Sequence, residues 1–221
     1  GDRGRDYYLD GIDGLLFGDS PNEGYVRGSE FLHPVLGVRF SVPEGFRIDN
    51  NAEAVIATGP DDMAIRFDGV TDDGRQSLTD YVASGWVTGL DPSSIRQTRI
   101  DGLPAATARA SADRWDFDIT VIRLKDRIYR FLTAVQSGSG QLEATASAVR
   151  SSFRKMSSRE IKQLQPLRIS IVTIAPGDTL ASLAARMRGV ERKVDLFKLL
   201  NAIAPGTALT PGEKVKIVTD R

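Results

Sequence analysis

The chain has no cysteine, one histidine among its 221 residues, and no apolar run long enough to cross a bilayer. Without cysteine there can be no disulfide, thiol nucleophile or thiolate metal site, and an oxidising compartment is tolerated. The lone histidine, His33, lies in Phe31-Leu32-His33-Pro34. A zinc site of the two-histidine kind therefore cannot be assembled from this chain. A serine-histidine-aspartate triad could run only through His33, and no nucleophile-elbow pattern accompanies it. His33 is read as a packing residue with a polar tip. Charge of one sign is not in excess either: lysine plus arginine and aspartate plus glutamate both number 29. From Pro166 onward there are nine basic and five acidic residues, leaving 20 and 24 before it. That asymmetry is too small to point to nucleic acid. A signal-peptide pattern is absent, and the charged start after Gly1 leads us to expect a further segment upstream.

Apolar residues make up 41% of the chain and charged residues 26%, an ordinary globular composition. The length fits one large domain or two smaller ones. Residues 1–36 read as a leading segment, with Tyr7, Tyr8, Leu9, Ile12, Leu15 and Leu16 at roughly helical spacing before Asp19-Ser20-Pro21-Asn22 breaks it. It is short of its own core and is expected to pack on something else. Residues 37–156 read as one unit. Val38, Phe40 and Val42 alternate with polar neighbours, as do Met63, Ile65 and Phe67, and both runs predict half-buried strands. Ser77 and Asp80 have capping-box spacing before a helix faced by Leu78, Tyr81, Val82 and Trp86. Asp101-Gly102 is a hairpin signal, and Trp115-Phe117-Ile119-Val121 and Tyr129-Phe131-Thr133-Val135 alternate on either side of Lys125-Asp126. A last helix carries Leu142, Ala146, Val149 and Phe153. The fold class is α+β: an antiparallel sheet sandwich with packed helices, followed by a small β-α-α-β domain.

Residues 157–165 are polar and predict a linker or short bridging helix. Residues 166–221 form the small domain. A strand near Ile169–Ile174 precedes the turn Pro176-Gly177-Asp178-Thr179, where Asp178 or Thr179 can cap a helix bearing Leu180, Leu183, Ala184 and Met187. Val194, Phe197 and Leu200 face a second helix, and Pro211-Gly212 turns the chain into Val215, Ile217 and Val218. So small a unit needs dense packing or help from its neighbour.

Three patterns could carry chemistry, and each has a plainer reading. Ser152-Phe153-Arg154-Lys155 has the spacing of serine-lysine acyl enzymes, without their companion motifs. It sits at a helix end, where a cation complements the dipole. Gly138-Ser139-Gly140 is half of a dinucleotide fingerprint and reads as a turn before a helix. Asp116 and Asp118 share one strand face. They could form an acid-base pair, but a solvated face opposite the Trp115-Phe117-Ile119 stripe is the simpler expectation.

In the tail, Ile171-Val172-Thr173-Ile174-Ala175-Pro176-Gly177-Asp178-Thr179-Leu180 is followed by Leu183-Ala184, Leu200-Asn201 and Leu209-Thr210-Pro211-Gly212-Glu213-Lys214-Val215. This order of motifs resembles the LysM family, whose members bind N-acetylglucosamine-containing glycans such as peptidoglycan and chitin. The resemblance implies a groove between Gly177, Asp178, Thr179 and Leu180 on one side and Asn201, Ile203, Ala204 and Pro205 on the other. Backbone amides at the helix start would bond sugar hydroxyls, and Leu180 and Ile203 would pack on the acetyl methyl. The chain departs from the pattern at Val172, where the family has tyrosine. It also departs in a lengthened gap carrying Arg188, Glu191, Arg192 and Lys193.

A second resemblance covers nearly the whole chain. Tyr8-Leu9-Asp10-Gly11-Ile12-Asp13-Gly14-Leu15-Leu16-Phe17-Gly18-Asp19, Gly24-Tyr25-Val26-Arg27-Gly28 and Phe31-Leu32-His33-Pro34 look like the region after the catalytic domain of bacterial periplasmic HExxH zinc metallopeptidases, relatives of HtpX and the CAAX prenyl protease. Residues 38–46 also look like the start of a PsbP-type domain. These resemblances imply a non-catalytic accessory region in the periplasm or cell envelope. Zinc would be held by a separate catalytic domain, with no cofactor or metal in this chain. The implied partners are peptidoglycan, the chain's own catalytic domain and envelope proteins, with neither nucleic acid nor a membrane span. The alternative is a purely structural or protein-interaction module with no glycan binding.

Overall fold

The computed structural model describes residues 2–220. Helix α1 (Asp2–Ile12) leads into the short strands β1 (Tyr25–Arg27), β2 (Glu30–His33) and β3 (Val38–Ser41). Strands β4 (Arg47–Asn50), β5 (Val55–Thr58) and β6 (Ala64–Thr71) precede helix α2 (Leu78–Ala83). Four long strands follow: β7 (Leu90–Ile100), β8 (Leu103–Ala112), β9 (Trp115–Leu124) and β10 (Arg127–Gln136). Helix α3 (Leu142–Ser152), the two-residue strand β11 (Arg154–Lys155) and helix α4 (Ser158–Gln163) lead to the tail. The tail is β12 (Arg168–Thr173), α5 (Leu180–Ala185), α6 (Lys193–Leu200) and β13 (Lys214–Thr219), the β-α-α-β order expected. No helix among the described residues is long and apolar enough to cross a membrane.

All pairings between these strands are antiparallel. A large sheet has the order β4-β5-β6-β10-β9-β8-β7, and a smaller one has the order β1-β2-β3-β11. The Asp101-Gly102 turn joins β7 to β8 with positive φ at both residues, 49° and 73°. Those angles match a primed hairpin turn, whose twist suits the flanking strands. One face of the large sheet packs on the small sheet and α3. There Phe40 meets Phe131 edge-on at 5.0 Å between ring centroids, and Phe67 lies 4.7 Å from both. The other face is covered by α2, with Leu78 and Val82 over Ala106, Ala108, Ile119 and Val121. Ser77 caps α2 by accepting from the Asp80 N–H, as its spacing predicts.

Within residues 1–36, the leading segment expected to pack on something else, β1 and β2 extend the small sheet through β2–β3 pairing. Each strand has at most four residues and hides only short apolar runs, so no alternation marks them. One expectation needs correction: although Asp116 is half-exposed, Asp118 on the same strand face does not meet solvent. α3 lies over it, and Asp118 is 2% exposed between Arg109 and Arg150.

Residues 157–165 contain α4, a bridging helix rather than a slack linker. Ser157 and Glu160 form a capping box, and Glu160 also binds Arg39 and Arg154. The Arg154 guanidinium first, and then the Ser157 amide and hydroxyl, hold the Glu160 carboxyl far below the ordinary range.

Candidate functional site

The tail sheet is wider than β12 and β13. Residues 14–17 run antiparallel to β12: the Gly14 N–H donates to the Ile169 carbonyl, Ile169 N–H to Leu15, and Phe17 N–H to Leu167, all at 2.8–2.9 Å. Asp13 Oδ1 accepts the Ile171 N–H at 2.9 Å. Helix α1 packs on the same two strands, with Leu9 buried and Asp10 paired to Lys214 Nζ at 2.6 Å. The leading segment therefore closes the β12 edge, which would otherwise present unpaired backbone groups. The tail's own core gathers Leu183, Met187, Phe197, Val215 and Ile217.

The residues named from the sequence are placed as follows. Ala175-Pro176-Gly177-Asp178 is a turn closed by the Asp178 N–H donating to the Ala175 carbonyl at 3.0 Å. Gly177 has φ of 88°, which this turn requires and a side chain would oppose. The Asp178 carboxylate accepts the Ala175 N–H at 2.8 Å and Arg186 Nη2 at 2.7 Å. These contacts, the Ala175 amide foremost, hold its pKa below the usual carboxylate range. Thr179 caps α5 in a reciprocal box with Ser182. Leu180 and Ile203 both pack, half-buried, on the tail core, so the structure brings this apolar pair to one cluster. Ala204 and Pro205 are exposed in a second Pro-Gly turn, closed by Thr207 N–H to Ala204.

Asn201 is turned inward. Its amide bonds both backbone groups of Lys216 and the Phe197 carbonyl, leaving little for a ligand. The polar side chains of Asp178, Thr179 and Asn201 thus serve the module itself. The amides of Leu180 and Ala181, in the first turn of α5, have no acceptor among the described residues. They are the free donors at this place.

Two cavities adjoin the tail. One, of about 730 Å³, is lined by Asp13, Arg168, Val172, Arg186, Arg188 and Lys193. The sequence showed Val172, Arg188 and Lys193 only as departures from a pattern, and gave no sign that Asp13 and Arg168 join them. The other, of about 1090 Å³, lies between tail and sandwich and includes Phe17, Arg27, Phe46 and Glu191.

The other candidates have structural partners. His33 is buried, its Nδ1 accepts the Leu36 N–H at 3.2 Å, and burial pushes its pKa down. The Ser152 hydroxyl bonds both backbone groups of Ser41, while the Lys155 N–H donates to Asp101. Gly138 and Gly140 lie in the turn before α3, both with positive φ. Among the described residues no group of three histidine, aspartate or glutamate side chains is arranged to hold a metal.

Comparison of the sequence with known families and with curated proteins finds no match. Two solved structures are similar over part of the chain. One, from Bacteroides thetaiotaomicron, aligns with a TM-score of 0.47 and 10% identity over 65% of this chain and 53% of its own, so this chain spans about half of it. The solution structure of cyanobacterial PsbP (CyanoP) from Synechocystis aligns with a TM-score of 0.45 and 14% identity over 63% of this chain and 98% of its own.

Proposed function

We propose that this chain is the accessory region of an envelope zinc metallopeptidase, with a tail that holds amino-sugar glycan and a sandwich that meets protein partners. Two observations support the glycan reading. Leu180 and Ile203 lie against the same core, and the unpaired amides of Leu180 and Ala181 sit at the start of α5. An acetamido group needs such a pair, an apolar contact for its methyl and donors for its oxygen. The turn that holds Gly177 is fixed by Asp178, so little ordering would be needed on binding.

A second reading has its own support. The polar side chains at the site are satisfied internally, and the leading segment is built into the tail sheet. On that reading the tail is a packing module that braces the sandwich. Co-sedimentation with purified peptidoglycan sacculi separates the two. The full chain should pellet, and Ile203→Ala should pellet less at a melting temperature lowered by only a few degrees, with circular dichroism confirming that the tail stays folded. A wild-type chain left in the supernatant would refute glycan binding and favour the bracing role.

A further inference from the structure

The 730 Å³ cavity of the tail is lined by four basic residues and one acidic residue. Arg168 comes from β12, Arg186 and Arg188 from the connection after α5, and Lys193 from the start of α6. The one carboxylate on its wall, Asp13, already accepts the Ile171 N–H. Arg168 donates to the Gly14 carbonyl and Arg186 to Asp178. Arg188 and Lys193 form no ion pair among the described residues. Three cations without an ion-pair partner among the described residues, Arg168, Arg188 and Lys193, line a concave space with one engaged carboxylate, and such a surface focuses potential on an anion. Half-buried Val172 adds an apolar contact, and Ser170 and Thr219 add hydroxyls.

We propose that this cavity binds an acidic peptide substituent carried on the glycan, a short peptide with free carboxylates. The inference rests on the glycan reading above and names what else the same ligand must contain. Carboxylates suit guanidinium groups, which hold them through paired N–H donors. The volume is that of a small-molecule site rather than of a bare ion. Arg186 lines the cavity and also bonds Asp178 in the 175–178 turn. A substituent hanging from a sugar held at that turn is thus one side chain away from the cavity.

The test compares the full chain's equilibrium binding to an amino-sugar tetrasaccharide with and without attached acidic peptides. At 0.1 M salt the peptide-bearing glycan should bind about tenfold more tightly, the scale of one charge-assisted hydrogen bond. At 1 M salt the advantage should shrink, because the screening length falls from about 10 Å to about 3 Å. Arg188→Gln with Lys193→Gln should abolish the preference and leave the neutral glycan's affinity unchanged, whereas Arg188→Lys should keep it. Equal binding of the two glycans by the wild-type chain, or a preference that survives in the double glutamine variant, overturns the inference while the glycan reading stands. Binding of neither glycan overturns both. Displacement of the peptide-bearing glycan by equimolar inorganic phosphate would mean that the cavity reads bare charge, and would overturn the peptide assignment.

Discussion

The side chain of Asn201 holds both backbone groups of Lys216: its Nδ2 donates to the carbonyl at 2.8 Å and its Oδ1 accepts the N–H at 2.7 Å. An asparagine amide placed against a strand in this way substitutes for a neighbouring strand. It closes the β13 edge near its middle and ties the end of α6 to the sheet. Asn201→Ala leaves two partly buried backbone groups without partners, a loss of about 1–3 kcal/mol. We expect a lower urea midpoint for the tail at unchanged m. Asn201→Asp, which keeps the acceptor and loses the donor, should fall between the two. If Asn201→Ala left stability untouched and weakened glycan pelleting, Asn201 would be a ligand contact.

How much of this was legible follows from the range of each interaction. Pro176-Gly177, Asp101-Gly102 and Ser77-Asp80 are local signals, and the turns and cap they predict are present. Leu180 and Ile203, named from motif order, each pack half-buried on the tail core. The strand formed by residues 14–17 was not legible, because its pairing with β12 is made by backbone groups and its side chains Leu15 and Leu16 stay exposed. Asp118 misled for a similar reason. An aspartate in a period-two pattern reads as solvent-facing until an arginine 32 residues away covers it. The inward turn of Asn201 also depends on a partner distant in sequence.

The leading segment is expected to support the tail's stability. Leu9 is buried, and α1 packs on β12 and β13. Leu9→Ala should cost about 2–3 kcal/mol, within the usual range for a buried leucine. Because Ile169 and Ile171 donate to Leu15 and Asp13, their amides should exchange faster in the variant. Hydrogen exchange resolved to residues 168–172 reads this directly. Unchanged protection there would mean that the segment is held independently of α1.

The buried cluster around Asp118 offers a sharper test of the sandwich. Arg109 Nε and Arg150 Nη1 approach its carboxylate at 3.2 Å and 3.3 Å, and the Thr120 hydroxyl donates at 3.1 Å. Burial raises the Asp118 pKa against the pull of Arg150 and Arg109. Asp118→Ala would remove the buried carboxylate that Arg109 on β8 and Arg150 on α3 share. Breaking a buried pair costs about 3–5 kcal/mol. The low end is expected, because Glu143 binds both arginines from the solvent side. Arg150→Ala should cost less, since Arg109 remains. Chemical unfolding of the three proteins tests the order.

His33 gives the chain a pH dependence of known sign. Burial is the main reason its pKa lies below the ordinary 6.5, with the positive charge of Arg127 acting in the same direction. The unfolded chain then takes up a proton near pH 6.5, whereas the folded chain resists until a lower pH. In that window the unfolded state binds more protons, so stability rises with pH and falls as pH drops. Above the ordinary value neither state is protonated, and His33 contributes no slope. The neutral ring is also the form that accepts the Leu36 N–H, and protonation at Nδ1 would break that bond. His33→Asn keeps a polar side chain and cannot titrate. Its stability should be flat from pH 6.5 down to about 5, where wild-type stability declines, and carboxylates add their own terms only below that. Parallel slopes in the two proteins would show that His33 is protonated as readily in the fold as outside it.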